Sequence, residues 1–192
     1  MALALLLALT IAVAFVAIGS GLGLIELPFQ MHLVDERLPV IFRVHMVTSA
    51  LALLLIPGVI ALRHRRPVHR MLGRLLGAFV VAGGISALPV AIFSNSAPAA
   101  RAGFFIQGLV WMALLALGVR AIRQHRPAEH ARLMLAMAAV TSGAVWFRAM
   151  TGSAIVLGLP FEATYAAAAW LCWLVPMTIV LWMPEPTALV RT

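Results

Sequence analysis

Two histidines follow two arginine-rich stretches of the chain, and their placement suits the binding of a haem iron. His69 comes after Arg63–Arg66 and His130 after Arg120–Arg126, and each stands just before a long apolar run. Two imidazoles from different helices at one depth can bind a haem iron from its two faces. Nearby arginines can donate charged hydrogen bonds to the haem propionates, namely Arg66, Arg70, Arg74, Arg126 and Arg132. The pattern predicts a b-type haem with His69 and His130 as axial ligands.

The alternative interpretation of these residues is structural. Histidines and arginines at the ends of membrane helices also anchor lipid headgroups or bond to helix carbonyls. His64 and His69 do not form a chelating pair by themselves, because they are five residues apart with Pro67 between them. His64 and His125 lie within the arginine-rich stretches, and we expect both side chains to be in water.

A second polar group lies inside the apolar runs, near the ends that face away from the arginine-rich stretches. It consists of Arg43, His45, Gln107 and Arg148, each within roughly 5–14 Å of that boundary at 1.5 Å per residue. Polar groups inside membrane spans usually face the interior of the bundle and mark a site. We expect a shared pocket for an anion, a quinone or a lipid headgroup, with His45 able to exchange a proton. Alternatively, Arg43 and Arg148 extend outward to the headgroups, and His45 hydrogen-bonds a nearby carbonyl or Ser49.

The composition is that of a polytopic membrane protein. The 192 residues are 64% hydrophobic and 10% charged, with a mean hydropathy of +1.05, whereas soluble domains are about 45–50% apolar and 25% charged. The net charge of +8 comes from arginines concentrated between the apolar runs. Cytoplasmic loops of membrane proteins carry such arginines, so nucleic-acid binding is not expected. The single cysteine, Cys172, excludes an intramolecular disulfide and a multi-cysteine metal site. No catalytic motif appears, which leaves an enzymatic activity undecided.

The apolar runs predict an all-α bundle of six transmembrane helices, because each can cross about 30 Å of hydrocarbon. We expect one transmembrane domain over residues 1–192, with spans at about 2–24, 40–62, 75–93, 102–122, 133–157 and 164–183. A cleaved signal peptide is the alternative for the first run, although it has no basic segment before it. The stretch Arg63–Arg74 is predicted to be a loop, since each charge placed in hydrocarbon costs at least about 2.5–3.5 kcal/mol.

The distribution of arginines predicts the orientation. Arg37, Arg43, Arg101 and Arg148 fall on one side of the predicted bundle, and the remaining arginines fall on the other, including Arg191 in the tail. The positive-inside rule then places both termini in the cytoplasm of a bacterium, with the chain in its inner membrane.

Two further patterns concern helix packing and repetition. Small residues in the third span predict close helix contacts and a central position for that span: Gly73, Gly77, Gly84, Ala87 and Ala91. The segments 64–69 and 125–130 both read H-R-x-x-x-H. Either spans two and three and spans four and five are parallel copies, or two hairpins acquired basic turns independently.

Three motifs resemble a family of bacterial multi-pass membrane proteins defined by a domain of unknown function. They are the R-x-H of 43–45, the H-R-x-L-G-R of 69–74 followed by A-G-G-I-S-A-L-P at 82–89, and the H-x-R-x-M of 130–134 with Arg148 further on. The resemblance covers about residues 40–150. It implies a multi-pass membrane protein and carries no established activity.

A looser similarity is to the ascorbate-reducible di-haem cytochromes b, whose four core helices supply two histidine pairs. This resemblance implies that His69 and His130 form one pair and that His45 matches a second-helix ligand. Span four offers Gln107 in place of a histidine, which argues against a second haem. The expected function is electron transfer or redox sensing through haem b, with a redox partner. The alternative is a non-haem binding protein or an accessory subunit of a larger membrane complex.

Overall fold

Residues 2–183 are described by a computed structural model, and they form seven helices and no strand. The helices are α1 (Ala2–Gly21), α2 (Phe29–Arg37), α3 (Pro39–Ala61), α4 (Arg66–Phe93), α5 (Pro98–Arg123), α6 (Pro127–Val156) and α7 (Phe161–Trp182). All except α2 are long and apolar enough to cross a membrane. The predicted all-α fold with six long apolar helices is therefore confirmed. Arg191 lies outside the described residues, and the cytoplasmic placement of the termini stays a prediction.

The basic turns are shorter than the sequence predicts. The expectation that Arg63–Arg74 forms a loop is wrong beyond Arg65, because α4 begins at Arg66. Pro67 stands in the first turn of α4 and Pro127 in that of α6, where a helix does not need the missing N–H. We call the end of the bundle that carries residues 62–65 and 124–126 the basic end. The distal end carries α2 and the turns at 94–97 and 157–160.

The two turns at the basic end are bounded by residues of similar backbone conformation. The residue after α3 is Leu62, with φ −94° and ψ 17°, and the residue after α5 is Gln124, with φ −92° and ψ 16°. The residues that precede α4 and α6 are Arg65 and Arg126, with φ/ψ of −90°/78° and −111°/73°. The turns nevertheless differ, because the first has four residues and the second three, and His125 has a φ of 57° whereas the corresponding His64 has no positive φ. Parallel origin stays one of two interpretations.

Among the six long helices of the described chain, α6 contacts the largest number of the others. It contacts α1, α3, α5 and α7, whereas α4 contacts α2, α3 and α5 within the described chain. The prediction that the third span is central is therefore wrong. Its small residues serve the contact between α4 and α5, since a Cβ on Gly84 would lie 2.5 Å from Met112 Cγ. Gly73 takes no part, because a Cβ there would meet nothing within 4 Å.

The interior and the outer surface of the bundle are both largely apolar. Buried side chains between α5, α6 and α7 include Trp111, Met137 and Trp173. Large apolar side chains such as Leu5, Ile85 and Val175 are exposed on the outside. A soluble domain rarely exposes such a continuous apolar surface, so these faces are in contact with the lipid bilayer.

Candidate functional site

A cavity of about 290 Å³ lies in the distal half of the bundle, between all six long helices. It extends to the turn of Ser94, Asn95 and Ser96 at the distal end. Its wall is mainly apolar, with polar groups at few positions, as is typical of small-molecule sites. Among the residues that line it are three of the four predicted pocket residues, His45, Gln107 and Arg148.

His45 is held in one orientation by the neighbouring helix. Its Nδ1 lies 3.0 Å from the carbonyl oxygen of Gly83 in α4, and Ser49 Oγ lies 3.4 Å from the same nitrogen. Gly83 permits this approach, because a Cβ there would lie 2.8 Å from Ser49 Oγ. A carbonyl oxygen can only accept, so Nδ1 carries the proton that it donates. In the neutral ring, Nε2 then presents a lone pair.

Gln107 is oriented by a similar contact with α6. Its Nε2 donates to the carbonyl oxygen of Val140 at 3.3 Å. Gly143 allows the side chain to lie here, since a Cβ on Gly143 would come within 3.0 Å of that amide nitrogen. The amide oxygen of Gln107 has no partner in the described chain and is left as an acceptor.

Arg148 brings a positive charge to the cavity wall without a matching carboxylate. Its Nη1 donates to the carbonyl oxygen of Ala144, one turn earlier in α6, at 3.0 Å. The ion pairs within residues 2–183 involve Arg43 and Arg126, and one joins His32 to Glu36. None of them includes Arg148. The remaining guanidinium N–H groups of Arg148 are therefore available to a ligand.

Aromatic side chains form one wall of the cavity, and sequence reasoning missed them. Phe104, Phe147 and Tyr165 pack edge to face, with ring centroids 5.0–6.0 Å apart. Tyr165 is the one tyrosine of the chain, and its hydroxyl accepts from Ser96 Oγ at 3.5 Å. The Tyr165 hydroxyl proton stays available for donation. A lone tyrosine in an alanine-rich span was the signal that could have identified it.

Comparison with known proteins places the chain in a family. Residues 42–183 match the family described as predicted membrane protein (DUF2306). The chain belongs to this family. No curated protein and no solved structure matches the chain. The DUF2306 match runs from α3 to α7 and includes His45, Gln107 and Arg148, whereas α1 and α2 precede it.

Arg43 of this DUF2306 protein lies outside the cavity, in contrast to the predicted grouping. Its Nε and Nη2 donate to the two carboxylate oxygens of Asp35 at 3.0 and 2.9 Å. The predicted spans leave residues 25–39 as a connection between the first two transmembrane helices. Instead α2 packs back against α3 and brings Asp35 to Arg43. The charge of Arg43 is neutralised there, so Arg148 alone remains for a ligand.

The Asp35–Arg43 pair makes a pH-dependent contribution to stability. The hydrogen bond from Arg43 holds the pKa of the Asp35 carboxyl below its ordinary value of 3.8. The pair therefore stabilises the fold above that value, and the contribution disappears as the pH falls through the lower folded pKa. We expect Asp35→Asn to lower the thermal stability of the detergent-solubilised protein at pH 7 and to match wild type in strong acid.

The control for this prediction is Glu36→Gln, on the next residue of α2. Glu36 is exposed and pairs with His32 at 3.4 Å, an arrangement that contributes little in water. Thermal unfolding is measured from pH 7 down to about pH 2. An Asp35→Asn deficit that persists unchanged in acid would show that its origin is packing rather than charge.

The predicted haem ligands lie at the basic end, and each bonds within its own hairpin. His69 Nδ1 lies 3.0 Å from the carbonyl oxygen of Val59 in α3, and His130 Nδ1 lies 2.9 Å from that of Gly118 in α5. Helices α4 and α6, which carry the two histidines, do not contact each other in the described part of the fold. Neither histidine lines the distal cavity.

Three of the arginines predicted to hold propionates are exposed or hydrogen-bonded to another helix. Arg70 and Arg74 are exposed on α4, beside a shallow apolar depression that includes Met71 and Leu75. Arg132 donates to the carbonyl oxygen of Leu181 in the last turn of α7. These contacts fit helix-end bonding better than a haem held between the two histidines, and haem binding stays a prediction.

Proposed function

We propose that this membrane protein binds an amphipathic small molecule in the distal cavity. The ligand has an apolar body and an oxygen that accepts hydrogen bonds or carries negative charge, as in a quinone or a lipid headgroup. The observation that carries this proposal is the guanidinium of Arg148 on the wall of a mainly apolar cavity, with no carboxylate paired to it in residues 2–183.

The charge and the wall together favour this ligand class. Arg148 lines the cavity but is an exposed residue, and a cation within a membrane span is costly unless water or an acceptor faces it. The carbonyl oxygen of Ala144 engages one nitrogen of Arg148, and the other nitrogens gain from an external acceptor. A bare inorganic anion would lose its hydration against the apolar walls. A molecule whose apolar part contacts Phe104 and Phe147 gains from the same walls.

The proposal is tested by direct titration of the purified protein in detergent. The ligands are a decyl-substituted benzoquinone, its reduced quinol, inorganic phosphate and a short-chain phosphatidylglycerol. We expect saturable heat of binding for the quinone and the quinol or for the lipid, and no saturable heat for phosphate. If none of the four produces saturable heat, a ligand-binding role for the cavity is refuted.

The second candidate is a b-type haem protein that transfers electrons to a redox partner. It is favoured by the bonds of His69 and His130, since a metal-binding imidazole commonly donates its other N–H to a backbone carbonyl. Both histidines do so through Nδ1, which leaves each Nε2 for iron. An ordinary visible spectrum of the protein after expression with added haem tests this candidate. It fails if no Soret band is present.

For location we propose a bacterial inner membrane with the basic end in the cytoplasm. Arg65 and Arg66 at one turn and Arg120 and Arg123 at the other make this end positive, as cytoplasmic loops are. Single cysteines placed at Arg66 and Arg126 in a Cys172→Ala background should be shielded from an impermeant thiol reagent in intact cells. A cysteine at Asn95 should react. Reaction at only one of the two basic turns contradicts the six-span topology.

A further inference from the structure

The polar groups of the distal cavity form a pattern of acceptors and donors that is more specific than a positive charge. In two side chains, His45 and Gln107, one nitrogen donates a hydrogen bond to a helix carbonyl. This bond fixes the orientation of the second polar atom, which is an acceptor. His45 uses Nδ1 on the Gly83 carbonyl, and Gln107 uses Nε2 on the Val140 carbonyl. The atoms left are His45 Nε2 and Gln107 Oε1, and both of these can accept a hydrogen bond.

Both acceptors are open to the cavity. The enclosed side-chain nitrogens and oxygens that lack a partner in the described chain are Nε of Arg63 and Nε of Arg132. His45 Nε2 and Gln107 Oε1 also lack a partner but are not enclosed, and both residues line the cavity. An acceptor that loses water without gaining a donor weakens binding. A ligand that fills this space must therefore supply donors.

The donors of the cavity include Arg148 and Tyr165, and Ser49 and Asn95 also line it. Arg148 retains N–H groups beyond the one that it gives to Ala144, and the Tyr165 hydroxyl accepts from Ser96 while keeping its own proton. Two further polar side chains that line the cavity, Trp111 and Thr141, are already hydrogen-bonded. Trp111 Nε1 donates to Thr141 Oγ1 at 2.8 Å, and Thr141 Oγ1 donates to the Met137 carbonyl at 2.8 Å.

We infer that the cavity selects a hydroxylated aromatic ring, the quinol form of a quinone–quinol pair, over the oxidised quinone. The inference rests on the proposed function. A quinol offers O–H donors to His45 and Gln107, and its oxygens accept from Arg148 and Tyr165. A quinone has acceptors alone, so its carbonyl oxygens face the lone pairs of His45 and Gln107.

The size and the wall of the cavity agree with a substituted ring. A cavity of about 150 Å³ lined by apolar side chains holds benzene, and this cavity has a volume of about 290 Å³. The edge-to-face cluster of Phe104, Phe147 and Tyr165 provides aromatic contacts. Val13, Ala14 and Leu53 line the same cavity and suit an alkyl substituent.

The experiment is an anaerobic calorimetric titration of the detergent-solubilised protein with three matched ligands. They are a decyl-substituted benzoquinol, its oxidised quinone and the dimethyl ether of the quinol, which keeps the ring but has no O–H. We expect the quinol to bind about ten- to hundredfold more tightly than the ether or the quinone. A difference of this size corresponds to one well-placed hydrogen bond that the ether and the quinone cannot form. This comparison requires no variant protein.

Two variants locate the selection. His45→Leu and Gln107→Leu should each reduce the preference for quinol over ether at least about fivefold, whereas His32→Leu, at an exposed histidine of α2, should leave it unchanged. Equal affinity of wild type for all three ligands overturns the inference and leaves the proposed function standing. Binding of short-chain phosphatidylglycerol that excludes the quinol overturns it in favour of a lipid headgroup. Failure of every ligand refutes the proposed function itself.

Discussion

Replacement of Arg148 by methionine is expected to weaken ligand binding to the distal cavity about ten- to hundredfold. Methionine keeps the length of the aliphatic stem and removes the charge and the donors. A hydrogen bond to a charged group contributes about 1.5–3 kcal/mol, and each 1.4 kcal/mol is a factor of ten in the dissociation constant. The cavity wall would lose its positive charge while Phe147 stays in place, so apolar contacts should persist while orientation and affinity are lost.

The matched control is Arg120→Met, at an exposed arginine near the basic end of α5. Arg101, a loop arginine by sequence, is a poor control because it lies in the first turn of α5 and donates to the Ile92 carbonyl at the end of α4. Titration with the quinol and the lipid measures both variants. Equal and small effects of Arg148→Met and Arg120→Met would show that Arg148 merely extends toward lipid headgroups.

The sequence predicted the helices better than their mutual placement. Apolar runs of about 20 residues are a strong signal because hydrocarbon accepts few other structures. Helix ends were less accurate, since Pro67 starts α4 within a stretch whose charges suggested a loop. The central position of α6 was not predictable from small residues alone, because glycines such as Gly73 can also face outward.

The cavity shows a similar division between what was predictable and what was not. His45, Gln107 and Arg148 were grouped by depth, because a polar group inside a span has few places to go other than the interior. Arg43 was grouped with them wrongly, because its partner Asp35 stands on a nine-residue helix that carries no strong apolar pattern. The pairing of Asp35 with Arg43 depends on how α2 packs against α3, which is a feature of the tertiary structure. Whether the three residues bind a ligand stays a prediction.

The second large effect is expected at the basic end, where His69 and His130 each join two helices. His69→Ala and His130→Ala should each destabilise the protein by about 1–3 kcal/mol. The first removes a hydrogen bond that joins α3 to α4, the second removes one that joins α5 to α6, and each leaves a carbonyl without its donor. Thermal unfolding in detergent measures the loss. The double variant should lose roughly the sum, because the helices that carry the two histidines, α4 and α6, do not contact each other in the described chain and distant sites are usually additive.

His32→Ala is the control, since that histidine is exposed and bonds to Glu36 within α2. His125 is unsuitable, because its φ of 57° is a conformation that alanine adopts less readily than histidine. Unchanged stability of both basic-end variants would contradict the role of these histidines in joining helices. The visible spectrum of the same samples separates this role from metal binding. A b-type signal in wild type that is absent from each single variant would assign Nε2 of both rings to haem, because iron held from two faces needs both imidazoles.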